Sequence, residues 1–400
     1  MPLLEVLNVG QGDSIIIRPK DDCNYASHCI IVDLGPGQYD ITKHIQPGES
    51  IHIIVTHHDA DHFNGIRFFA DKMDRVEDIY VPLYQNEITI IANSLLHLKG
   101  IRETENCDDF IRTLEDVVAN QIFLREITGP NHRGPKLRYA FENRRMCNHL
   151  SFFNPPARMN VYDWITEADC DDLCQLFEMY FEKDYFGYLI EYLFHSGVSR
   201  PHIKHKTQEN NLSPITQLLL DDTENIKREY DWDGRRGRAI VVEFFMNNRE
   251  EIDAFIHRPS RERMKLLYDA FIRCTHDACI VLKAEYDDGY LLTGDASKKV
   301  FNRLIASKAL IQAEYLKVPH HGSKENMDGD ILDYINPRVA IISHDNRRFG
   351  RAKDSHPNQE ILNLLQEREI SILISNDVIK NGITIMKKRK HSSDENVKVY

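Results

Sequence analysis

The chain has 400 residues, more than one ordinary domain needs, so it reads as one large elaborated domain or as two. A hydrophobic content of 42% is enough to bury a core, which excludes a wholly disordered chain, and no collagen or coiled-coil repeat runs through it. Sixty-two acids against fifty bases leave a net charge of −12, which excludes a uniformly basic surface but not a local basic groove.

In chain order, residues 3–9 (LLEVLNV) and 14–17 (SIII) read as short strands joined by the turn residues Gly10-Gln11-Gly12-Asp13. Ile30-Ile31-Val32 is a third strand, ending at Asp33-Leu34-Gly35-Pro36-Gly37. Ile51 to Val55 is a fourth, apolar except for His52, and it runs directly into Thr56-His57-His58-Asp59-Ala60-Asp61-His62. Residues 64–75 read as helix and Ile79-Tyr80-Val81 as strand. Strands alternating with helices imply an α/β layered fold. Residues 130–160 are rich in Pro, Asn and Arg with weak periodicity, whereas 161–195 carry Leu173, Leu176, Phe177, Tyr180, Phe181, Leu189 and Leu193 at helical spacing. A polar stretch over 200–238 includes Trp232, Arg235, Arg236 and Arg238. These features imply a mainly helical insertion over about 135–270, within a domain built from about 1–130 and 271–390.

Strand chemistry resumes at Cys279-Ile280-Val281-Leu282 and Tyr290-Leu291-Leu292-Thr293, with Asp287-Asp288-Gly289 as a hairpin turn between them. Gly294-Asp295-Ala296 follows. A helix is expected over about 298–309, then a strand Tyr315-Leu316-Lys317-Val318 that ends at Pro319-His320-His321-Gly322-Ser323. Val339 to Ser343 is another strand, 358–368 another helix, and 372–374 and 382–385 close the sheet. Residues 387–400 are expected to form a frayed polar tail. No run of about eighteen apolar residues occurs, so no membrane span is expected. The start MPLLEVLNVG lacks the basic-then-apolar order of a secretory signal. The eight cysteines show no paired CxxC arrangement, so a reducing, cytoplasmic location is the expectation.

One pattern recurs: apolar strands end in His and Asp. Asp33 comes first, then His57, Asp59, Asp61 and His62, then Asp295, then His320 and His321. Loops beyond strand ends are where α/β sheets place ligands, and deprotonated N and O donors arriving from several loops suit divalent metals. A single His–Asp pair would read as a capped helix start; two of each within six residues after a buried strand do not.

The segments LNVGQGDSIII, IIVDLGPG, THHDADHFNGI, YLLTGDA, YLKVPHHGS, AIIS, SHP and SNDVIKNGITI, in that order, resemble a metallo-β-lactamase-fold hydrolase, and within that fold the ComEC-type soluble metallo-hydrolase domain. The resemblance covers about 1–125 and 275–385 and implies an αββα sandwich interrupted by the helical insertion. It makes His57, Asp59, Asp61 and His62 an HxDxDH motif, with Asp59 where the wider family more often has histidine. That carboxylate shifts the expectation for the two divalent ions towards manganese or magnesium, with zinc retained. Asp295 would be the bridging carboxylate, His321 (or His320) the late histidine ligand, and Asp33 the residue that orders the metal loop. His276 is the candidate third histidine, with a surface loop histidine as its other reading. His356 is a late histidine near the leaving group or, equally, a loop residue. Asn8 stands where the family's opening usually has aspartate.

The resemblance implies a nuclease or phosphodiesterase in which Asp61 orients or deprotonates a hydroxide held between two metals, and His356 acts as acid. DNA or another phosphodiester is the expected partner. Arg133, Lys136, Arg138, Arg144 and Arg145, and the arginines beside Trp232, are candidate phosphate contacts or plain solvated surface. Two other readings stay open: a hydrolase of a small thioester, lactone or cyclic nucleotide, and a metal-binding interaction module whose insertion recruits a protein partner.

Overall fold

Among the described residues, two seven-stranded sheets carry the architecture. The computed structural model describes residues 4–19, 24–128, 134–157, 175–181, 235–286, 289–344, 356–375 and 397–399. The first sheet runs in space β14 (Val397–Val399), β1 (Leu4–Val6), β2 (Ile15–Ile17), β3 (His28–Val32), β4 (Ser50–Ile54), β5 (Val76–Pro82), β6 (Lys136–Ala140). The second runs β13 (Ser371–Ile374), β12 (Val339–Ile342), β11 (Tyr315–Lys317), β10 (Tyr290–Leu292), β9 (Val281–Ala284), β8 (Leu150–Asn154), β7 (Arg145–Cys147). In each sheet four consecutive strands are parallel, β3 to β6 and β10 to β13.

The alternation of side chains explains the layering. Leu4, Val6, Ile15, Ile17, Ile30, Val32 and Ile54 from the first sheet form one buried cluster with Phe152, Leu282, Tyr290, Leu292 and Ile341 of the second. The period of two sends these residues inward from both sheets, and each such apolar side chain contributes about 1.5–3 kcal/mol when fully buried. The residues of opposite parity on the second sheet, Val281, Leu291, Leu316, Ala340 and Ile342, pack against helices Lys298–Ala306, Gly329–Ile335 and Gln359–Glu367. These strands are buried on both faces, as continuous apolar runs in parallel sheets require. The result is the α/β sandwich expected from the sequence.

Contacts divide the chain into two units: residues 1–83, 127–157 and 275–400, and residues 84–126 and 158–274. This grouping corrects the expected insertion in two places. Residues 136–154 form β6, β7 and β8, which belong to the two sheets rather than to an insertion beginning near 135. Lys136–Ala140 and Arg145–Cys147 carry too many polar residues to read as strands, because they sit at or beside sheet edges where one face is not buried. Conversely, helix Gln85–Leu96 groups with the second unit. That unit is helical in its described part and holds an aromatic cluster in which Phe177, Phe181 and Phe245 meet at ring distances of 5.0–5.6 Å. Within the tail, Val397–Val399 pairs in parallel with β1 and is a strand, not a frayed end. Residues 64–75 form 3₁₀ turns rather than α-helix. The expected turn at Asp287-Asp288, the strand at 382–385, residues Leu173, Leu189 and Leu193, and Trp232 lie outside the described residues.

Candidate metal centre

The parallel strands deliver their loops to one end of the first unit. There β4 continues through Val55 and Thr56 into the His57–His62 segment, and Ile280, entering β9, donates its N–H to Thr56 O at 2.9 Å, tying the two sheets together. Two close approaches fix this junction. A Cβ on Gly12 would collide with the Asp61 carbonyl, and one on Gly294, at φ +48°, would lie 2.6 Å from Cys279 Sγ and 2.7 Å from Thr56 Oγ1. Only glycine fits either position.

Asp33 follows β3 with φ 59° and sits under the loop. Its Oδ1 accepts the Thr56 N–H at 2.7 Å, and its Oδ2 accepts the Thr56 hydroxyl at 2.7 Å and His62 Nδ1–H at 2.8 Å. The acceptor at Nδ1 leaves the His62 Nε2 lone pair facing the centre, the arrangement that orients metal-ligating imidazoles. The other histidines repeat this device. His321 Nδ1 donates to Ser343 O at 2.6 Å, His320 Nδ1 lies 3.0 Å from Asn326 Oδ1, and His57 Nδ1 lies 3.1 Å from Thr56 Oγ1. Every one therefore presents Nε2. His320 and His321 both hold left-handed backbone, φ 46° and 52°, a strained pair that the packed loop imposes.

Eight residues singled out in the sequence meet here. His57 Nε2, Asp59 Oδ2 and His276 Nε2 form one group, with separations of 3.4 and 3.6 Å. Asp61, His62 and His321 form a second: His321 Nε2 is 3.2 Å and His62 Nε2 3.9 Å from Asp61 Oδ2. Asp295 lies between them, with Oδ1 3.4 Å from His62 Nε2 and Oδ2 3.8 Å from His57 Nε2, 3.7 Å from His320 Nε2 and 4.0 Å from His321 Nε2. His276 is not a loop residue: it occupies the last turn of helix Arg261–Asp277, is buried, and turns its ring edge to His57 and His320. The structure gives both His320 and His321 a place at the cluster, where the sequence favoured His321. His356 stands one layer out, its ring 4.8 Å from that of His320. His58 turns away and packs against Phe63.

The donors fit divalent cations. His57 Nε2, His62 Nε2, His276 Nε2, Asp59 Oδ1 and Asp295 Oδ1 are buried and have no hydrogen-bond partner among the described residues. Such groups are costly to bury unless something satisfies them. The charges point the same way. Burial opposes charge on Asp59 and Asp295, yet the neighbouring histidines hold both carboxyls well below the ordinary range. Burial, reinforced by His276, His321 and His356, pushes His320 down to about 3, so its ring is a neutral donor.

Sequence reasoning missed the buried support. Lys317 Nζ pairs with Asp13, donates to Gly294 O at 3.0 Å and lies 3.7 Å from Asp295 Oδ1. Burial opposes its charge, but Asp13 and Asp295 raise its pKa. The signal was a lysine inside the apolar strand YLKV and an acid closing the GQGD turn. The expected phosphate clamp is less open than the sequence suggests. Arg138 Nε donates to Asp78 at 3.0 Å, and Arg144 donates to Tyr139 O at 2.9 Å. Lys136 and Arg145 are exposed, and Arg133 lies outside the described residues.

Residues 7–147 match the family model of the metallo-beta-lactamase superfamily. The chain is 36% identical over 85 residues to ComE operon protein 3 of Bacillus subtilis, covering 21% of this chain and 10% of that protein. It is 39% identical over 66 residues to recombination protein 2 of Haemophilus influenzae, covering 16% of this chain and 8% of that protein. The matched segments are thus a small part of those relatives' length. No helix among the described residues is long and apolar enough to cross a membrane.

Proposed function

We propose that this chain, which carries a metallo-beta-lactamase superfamily domain, is a metal-dependent hydrolase of phosphodiester bonds, most readily those of DNA. The observation that carries the reading is two donor groups, His57–Asp59–His276 and Asp61–His62–His321, flanking the single carboxylate of Asp295. Two divalent ions held by these residues would supply Lewis-acid activation of water and of the attacked phosphorus. Two carboxylates on the HxDxDH segment favour manganese or magnesium alongside zinc.

The chain's own groups divide the remaining work. Asp61, with its side chain 28% exposed, faces the mouth of the cluster and is placed to accept the proton of an attacking water. His321 Nε2 lies 3.2 Å from that carboxylate, so the two would share one ion. Lys317, buried, fixes Asp13 and the backbone of Gly294 beside Asp295, which limits how far the Asp295 carboxylate can relax. His356, beyond His320 on the outer side, is placed to give a proton to the departing oxygen.

The name of the Haemophilus relative, a recombination protein, supports DNA as the substrate. A second reading, hydrolysis of a small thioester, lactone or cyclic nucleotide, is favoured by the engagement of Arg138 and Arg144 within the protein rather than towards a polyanion. The deciding experiment incubates the full chain with labelled single- and double-stranded DNA under manganese, magnesium or zinc, beside Asp61→Ala. Metal-dependent cleavage lost in the variant supports the nuclease. Metal-loaded, folded protein that leaves DNA intact but hydrolyses a cyclic nucleotide or thioester transfers the conclusion to the second reading.

A further inference from the structure

A second group of metal-type donors occupies the other end of the same parallel strands. His28 opens β3, His52 lies in β4, and Glu77 lies in β5. His28 and His52 share the parity of Ile30 and Ile54, so both point into the layer between the sheets. Glu77 would normally point the opposite way. The register, however, runs Ile51 to Val76 and then His52 to Asp78, so Glu77 is the extra residue of a β-bulge. Bulges re-aim side chains, and this one brings Glu77 and Asp78 to the same imidazole.

The distances describe a site rather than a chance encounter. His28 Nδ1 is 2.9 Å from His52 Nε2, Glu77 Oε1 is 4.0 Å from His28 Nδ1, and Glu77 Oε2 is 3.8 Å from His52 Nε2. His52 is fully buried, and its Nδ1 lies 3.1 Å from Asp78 Oδ2. The contact falls short of a hydrogen bond, but a carboxylate this close favours the proton on Nδ1 by its charge and leaves the Nε2 lone pair directed at His28 and Glu77. Asp78 is held in turn by Arg138 at 3.0 Å, and Tyr25 packs edge-on to both imidazoles. The side chain of Glu77 is half exposed, which leaves a path from solvent.

We propose that His28, His52 and Glu77 form a second metal site, distinct from the Asp295 cluster, which binds one borderline divalent transition ion of the zinc class. Two imidazoles and one carboxylate match zinc or cobalt, whereas magnesium and calcium ask for oxygen donors throughout. The ion would clamp the starts of three strands, two of which end in Asp33 and the His57 loop, and so would stabilise the fold without taking part in the reaction.

The test strips the full chain with chelator, dialyses it against buffered zinc and counts bound metal by mass spectrometry. Wild type, Glu77→Gln, His28→Gln, the Asp61→Ala/Asp295→Ala double variant and that double variant with Glu77→Gln are compared. Both far-end single variants should bind one equivalent fewer than wild type and lose part of the zinc-dependent rise in Tm. The double variant should keep the far-end equivalent, which Glu77→Gln then removes. Cobalt in the double variant should show a visible d–d band that disappears with Glu77→Gln. Equal zinc content in wild type and both single variants, or equal content in the double variant with and without Glu77→Gln, overturns the proposal. These outcomes leave the hydrolase reading untouched, since its test is read at Asp61 on a substrate.

Discussion

The two ends of strands β3 and β4 carry the same residue types and treat them differently. At the C-terminal end, most donors sit just past strand ends and His276 closes a helix, and several buried ones have no hydrogen-bond partner among the described residues; His57, His62, His320 and His321 are anchored through Nδ1 so that Nε2 faces the neighbouring donors. At the N-terminal end, the donors sit on the strands themselves, and His28 and His52 are in hydrogen-bonding contact with each other. Unsatisfied buried donors are destabilising until an ion fills the space between them, whereas donors that satisfy one another leave an ion less to gain. The first arrangement therefore suits resident, tightly held metals, and the second suits a metal that exchanges.

The largest expected effect is at Asp295, the carboxylate between the two donor groups. Asp295→Ala should collapse metal binding at the loop end and take hydrolysis below detection, while leaving the far-end site loaded; metal content and turnover measured on one preparation would check both. His356→Ala comes next. If His356 protonates the leaving group, turnover should fall by about 10²–10⁴-fold with metal content unchanged. An activated p-nitrophenyl diester, whose leaving group needs no proton, should lose far less. Equal losses on both substrates would remove His356 from the acid role. Lys317→Met leaves Asp13 charged and buried without its partner, and breaking such a pair costs about 3–5 kcal/mol. Denaturant unfolding would read that loss, and Asp13→Asn in the same background should restore part of it.

Much of the loop end was legible because its chemistry is concentrated. His57 to His62 follows an apolar strand directly, and Asp295 and His320–His321 each end another, so strand-end position and residue type coincided. His276 was ambiguous for the opposite reason: it closes a helix that carries no metal pattern of its own, and only the fold turns it towards Asp59. Lys317 and Asp13 were invisible as a pair, since they lie 304 positions apart in the sequence and no local rule joins them. Strands β6 and β7 were lost because they lie at sheet edges, where polar residues such as Lys136 and Arg145 stay exposed, and β8 because only five residues separate Asn148-His149 from Pro155-Pro156. The far-end site could not be read at all without the bulge at Glu77, because register is a property of pairing and not of one strand.

A subtler test concerns the carboxylate under the loop. Asp33→Asn keeps a side chain that tolerates φ 59° and can still accept from Thr56, but its amide can present a donor to His62 Nδ1 where a second acceptor oxygen stood. Loss of such an orienting partner weakens metal affinity by about 10–100-fold. Competition with a chelating dye should show this loss in the more weakly held ion at the loop end and no change at His28–His52–Glu77.

The smallest effect expected is at Glu77 in metal-free protein. Its side chain is half exposed and its carboxylate is 3.8 Å or more from either imidazole, so Glu77→Gln should change the stability of stripped protein by no more than about 0.5 kcal/mol. Zinc sharpens the comparison. Added zinc should raise the Tm of wild type through both ends of the strands, and of Glu77→Gln through the loop end alone, so the two proteins coincide without metal and separate with it. If they already differ when stripped, Glu77 supports the fold by ordinary contacts, and the exchangeable character assigned to this end is wrong. If they coincide throughout, the strand end is a hydrogen-bonded pair of histidines and nothing more. Separation confined to zinc, absent with magnesium, is the result that distinguishes a donor set chosen for nitrogen from one that is merely charged.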